Sequence, residues 1–77
     1  MRYKLHETVV LVRDLPEHSL CAGDLGAVVE IYEPDGLEVE FVKASGRTSS
    51  LVSLAVSDVR PIADDDFVAV RSSQRSA

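Results

Sequence analysis

The chain has no tryptophan, a single cysteine and a single methionine, and only two tyrosines and two phenylalanines in 77 residues. One cysteine excludes an internal disulfide and fits a reducing compartment. So few aromatics leave a thin core, and a chain this short buries only about 60% of the surface its unfolded form exposes. Long apolar runs are also missing. The start, MRYKLHETVVLVRDLPEH, has no uncharged stretch that would serve as a signal peptide, and nothing approaches a membrane span. A cytoplasmic location and no membrane partner are the expectation.

The most telling absence is of positive charge. From Asp14 to Val42 there are eight acidic residues and no Lys or Arg. Residues 1–62 hold ten acids against six bases, and residues 63–77 hold three against two, for a net charge of −5. An acidic centre disfavours a phosphate backbone as ligand and favours steering of a basic protein. One small domain also leaves little room for a deep cavity of the roughly 300–1,000 Å³ that small-molecule sites use.

What is present reads as short strands. Thr8 to Val12 is a β-branched run, ended by Arg13, Asp14 and Pro16. Leu15 to Asp24 is a loop whose Leu20 is expected to tuck over one end of the core. Gly26–Tyr32 and Leu37–Val42 form a hairpin around Glu33-Pro34-Asp35-Gly36. Proline at the second position, Asp at the third and a left-handed Gly at the fourth would make a type I turn with a bulge. That turn predicts Glu33 opposite Leu37, and then Ile31 opposite Val39 and Val29 opposite Phe41, these four apolar residues on the inward side. Outward would lie Tyr32 opposite Glu38, Glu30 opposite Glu40 and Val28 opposite Val42. Ala44-Ser45-Gly46 turns into a fourth strand, Arg47 to Leu54, whose register the alternation leaves open. Residues 55–58 read as a short 3₁₀ turn and Val59–Ile62 as a last strand that Pro61 confines to an edge.

Five short strands without helical periodicity predict an all-β fold, a small barrel over residues 1–62. Residues 63–77, an acidic and polar tail, read as flexible, with Phe67 to Val70 able to add an edge strand or to dock.

These blocks carry a resemblance. RDLPEH (13–18), GDLGAVVEIY (23–32), LEVEFV (37–42) and DVRP (58–61) resemble, in order, a family of small uncharacterised bacterial domains. The similarity spans residues 3–62 and implies a five-stranded Src-homology-3-like barrel with no established activity. Members tend to be encoded beside small toxin-like proteins, which implies an antitoxin or immunity role. Ser19 stands where the family more often has Gly, and Cys21 where it often has a basic residue. This loop is therefore less basic than in relatives. A looser similarity is to KOW-type barrels of ribosomal and transcription proteins, through Gly-Asp-x-Gly leading into Ala27-Val28-Val29-Glu30.

Catalytic and metal readings are thin. His18-x-x-Cys21, even with His6, falls short of the four paired ligands of a structural zinc site. Thr48-Ser49-Ser50 lacks a nucleophile elbow. Gly23-Asp24-Leu25-Gly26 has no helix after it to cradle a phosphate, and Asp24 would repel one. Neither a catalytic residue, a metal nor a cofactor is assigned. The favoured partner is a basic cytoplasmic protein, a toxin encoded nearby being its specific form. The residues expected to bind it are Glu30, Tyr32, Glu38 and Glu40, with Asp24, Glu33 and Asp35 as steering charges. The alternative is an RNA-associated KOW-like barrel using Lys43, Arg47 and Arg60.

Overall fold

The computed structural model describes residues 2–73. Five strands, β1 (Thr8–Leu11), β2 (Leu25–Tyr32), β3 (Gly36–Val42), β4 (Thr48–Ala55) and β5 (Val59–Pro61), form one antiparallel sheet in the order β4-β3-β2-β1-β5. This is the order of the expected Src-homology-3-like barrel: a meander whose last strand returns beside the first. Two single 3₁₀ turns, Pro16–His18 and Val56–Asp58, interrupt the connections. Among the described residues there is no α-helix, so none is long and apolar enough to cross a membrane.

The sheet curls on itself. Leu54 on β4 and Val59 on β5 sit at opposite ends of the strand order, yet both are buried in one core with Val9, Leu11, Leu37, Val39 and Phe41. The Val56 amide donates to the Asp35 carbonyl at 2.9 Å, tying the second 3₁₀ turn to the β2–β3 loop. The Ala55 amide donates to the Asp58 carboxylate at 3.0 Å, which closes that turn locally. Leu20 is buried as expected, and the Leu15–Leu20 bridge pins its loop over the core.

The hairpin departs from its expected register. Tyr32 pairs Gly36, Ile31 pairs Leu37 and Glu30 pairs Glu38 around a loop of Glu33, a cis Pro34 and Asp35. Gly36 is therefore a strand residue rather than the left-handed end of the turn. It belongs there because a Cβ would come within 3.2 Å of the Tyr32 Cβ. A bulge between Val28 and Glu30 then absorbs one residue, so that Val28 pairs Val39 and Ala27 pairs Glu40. One extra residue inverts a period of two. Val28, expected outside, is fully buried, and Val29 is only partly covered. β3 has no such interruption before Val42, and its Leu37, Val39 and Phe41 point inward as expected.

β4 settles the register left open. Leu54 pairs Leu37 and Val52 pairs Val39, both inward, so Leu51 is turned out and stands 55% exposed. The poor alternation in its sequence reflects an apolar residue that does not enter the core.

Candidate functional site

The outer face of β2, β3 and β4 gathers four of the predicted residues. Inward Leu37, Val39 and Phe41 force Glu38 and Glu40 to the outside of β3. Pairing then sets Glu30 beside Glu38, and Tyr32 two pairs further on beside Gly36. Glu30 does not face Glu40, whose β2 neighbour is Ala27. Directly opposed like charges are destabilising by about 0.2–1 kcal/mol, so the Glu30–Glu38 pair is a cost to the free molecule.

Hydroxyls from β4 soften that cost. The Ser53 hydroxyl donates to Glu38 Oε1 and the Thr48 hydroxyl to Glu40 Oε2, each at 2.5 Å. Thr48 is thus a strand residue that steadies a carboxylate. Beside the glutamates lies an apolar patch: Leu25 and Ala27 on β2, Val42 on β3 and Leu51 on β4. A shallow concavity of about 290 Å³ opens among Thr8, Leu25, Ala27, Glu40 and Val42. Tyr32, half exposed, stands at the far end of the same face.

The steering residues are distributed differently. Glu33 and Asp35 are exposed in the β2–β3 loop, adjoining Tyr32. Asp24 precedes the opposite end of β2, roughly 25–30 Å away across the eight residues of that strand. Its charge is already met: Arg71 Nε donates to Asp24 Oδ1 at 2.9 Å and Nη2 donates to Oδ2 at 2.5 Å. Partial burial pushes the Asp24 carboxyl up, but the Arg71 hydrogen bonds and the Cys21 amide together hold it below the usual carboxylate range. Sequence reasoning did not find Arg71 as a site residue, because 47 residues separate it from Asp24.

Arg71 belongs to a tail that crosses the barrel without adding a strand. Residues 62–73 are anchored twice. Arg60 on β5 grips Asp66 through two parallel hydrogen bonds of 2.9 Å, and Arg71 grips Asp24. Between the anchors Phe67, Val68 and Val70 are 98%, 76% and 98% exposed. The predicted tail also includes residues 74–77, which lie outside the described residues.

The basic residues named for RNA sit on two elements, the β3–β4 turn and β5. Lys43 and Arg47 close the β3–β4 turn, where the Lys43 amide donates to the Arg47 carbonyl at 2.9 Å. Arg60 lies on the other end strand and is engaged by Asp66. Among the described residues no three of His, Cys, Asp and Glu converge as a metal site would require.

No curated protein and no solved structure matches the chain. A family model matches residues 5–61, from just before β1 to the end of β5, leaving the tail outside. With its folded body so covered, the chain belongs to the family described as Domain of unknown function (DUF4926).

Proposed function

We propose that this protein is a non-enzymatic interaction module whose outer sheet face receives a basic protein. The observation that carries this reading is the company its glutamates keep. Among the described residues the ion pairs join Arg13 with Asp58, Arg60 with Asp66 and Arg71 with Asp24, so Glu30, Glu38 and Glu40 meet no cation. Three carboxylates beside an apolar patch of Leu25, Val42 and Leu51 offer both halves of a protein interface, a dry centre and a charged rim. The mechanism would be masking: the face covers basic groups that the partner needs for its own substrate. An antitoxin or immunity protein neutralising a basic toxin is the specific form of that mechanism. No observation favours the RNA reading, and one of its three basic residues, Arg60, is already paired with Asp66.

The test separates stability from binding. Replacing Glu30 and Glu38 by Gln relieves their repulsion, and is expected to raise the stability of the free protein by about 0.2–1 kcal/mol in denaturant melts. Against a basic partner captured from the native host, the same change is expected to slow association and to flatten its dependence on salt. A double variant that associates as fast as the wild type at low salt rules this face out as the interface.

A further inference from the structure

We infer that Asp24 and the Ser19 carbonyl form a guanidinium-binding site, occupied in cis by Arg71, for which an arginine in an apolar peptide segment competes. Three acceptors converge on one side chain. Arg71 Nε reaches Asp24 Oδ1 at 2.9 Å, while Nη2 reaches Asp24 Oδ2 at 2.5 Å and the Ser19 carbonyl at 3.1 Å. This forked pattern matches a planar guanidinium and not the point charge of a lysine.

The acceptors are set by their own loop, independently of the tail. The Cys21 amide donates to Asp24 Oδ2 at 2.8 Å and fixes the carboxylate. Ser19 sits in the left-handed region at φ 58°, ending the first 3₁₀ turn, and the flanking Leu15 and Leu20 are both buried. Even with Arg71 in place the Asp24 side chain is 18% exposed, so the site stays open to solvent.

The occupant is held by its guanidinium and not by apolar burial. The apolar side chains before Arg71, namely Phe67, Val68 and Val70, remain almost wholly exposed, so the tail gains little from burial. Phe67 and Val70 lie along an open groove of about 420 Å³ whose barrel side includes Leu20, Leu25 and Val42. The groove therefore runs from the guanidinium site towards the apolar patch of the outer face. A peptide that filled it more deeply than Phe67 and Val70 do, with an arginine at its end, would displace the tail. The ligand class is an arginine-bearing apolar segment. This inference does not require the glutamate face to bind anything, since its probe is the chain's own segment.

The test supplies that segment in trans. A fluorescent octapeptide of residues 66–73 is titrated by anisotropy against the full chain and against its Arg71→Ala variant. Emptying the site is expected to tighten peptide binding by about tenfold or more, because an occupied site lowers apparent affinity by the fraction left free. Adding Asp24→Asn to Arg71→Ala is expected to undo that gain. A peptide carrying Lys in place of its Arg is expected to bind the Arg71→Ala chain about tenfold more weakly, an arm that needs no further protein variant. Equal binding by wild type and Arg71→Ala, no binding up to about 1 mM, or indifference to Arg versus Lys would each overturn the assignment.

Discussion

Gly26 shows how much one position can carry. It stands in β2 opposite Val9, and a Cβ there would lie 2.5 Å from Val39 Cγ1, 3.0 Å from Phe41 Cε1 and 3.1 Å from the Glu40 carbonyl. The backbone of β3 and two core side chains leave no room for it. Gly26→Ala is expected to destabilise the protein by about 1–3 kcal/mol in urea, the usual cost of overpacking a core. The complementary change, Phe41→Ala, removes a ring that is 2% exposed. It is expected to cost about 3–5 kcal/mol, a large share of the stability of so small a domain. Gly26 reads in sequence as the first residue of the second strand. Gly23, at φ 98°, serves the loop before it, whereas the need for a missing Cβ at Gly26 comes from residues thirteen and fifteen places away.

The tail and the hairpin are the elements whose behaviour is most open to test. Because Phe67, Val68 and Val70 are exposed, truncation after Ile62 is expected to leave the barrel folded, with a loss smaller than the burial of one such side chain, about 1.5–3 kcal/mol. A larger loss in denaturant melts would mean that the tail packs on the body in solution. Acid should detach the tail first at its anchors. The Arg60 guanidinium, with the Ala63 amide second, lowers the Asp66 carboxyl from 3.8 to about 2. A depressed carboxylate stabilises the anchored form above its unbound value and loses that contribution as pH falls towards its bound value. Amide shifts of residues 63–67 are therefore expected to stay constant from neutral pH to about 5, and to move between about 4 and 2. Movement completed above pH 5 would contradict the anchor.

Across the whole molecule, acid should act in the same direction on three carboxylates. Arg13, and more weakly the Ala55 amide, hold Asp58 below the ordinary range against the opposing effect of burial. Asp24 and Asp66 are lowered too. All three contribute stability above the ordinary carboxylate value and lose it below, so the urea midpoint is expected to be level above about pH 5 and to fall as pH drops under about 4. A midpoint that rose on acidification would show that relief of the repulsion from a net charge of −5 outweighs these ion pairs.

Much of the architecture was legible in the chain itself because it depends on neighbours in sequence. The β-branched run at Thr8–Leu11, the alternation Leu37, Val39, Phe41 and the breakers at Pro16, Gly23 and Gly46 locate the strands and put Glu38 and Glu40 outside. Strand number, all-β class and the acidic outer face follow from these local patterns. Register was decided elsewhere. The bulge between Val28 and Glu30 lets Val28 enter the core while Ile31 still packs against its edge. Local turn chemistry cannot register that gain, because the residues Val28 must fit among come from other strands. The same is true of the Asp24–Arg71 contact: either residue alone is a surface charge, and only the path of the chain around the barrel brings carboxylate, carbonyl and guanidinium together.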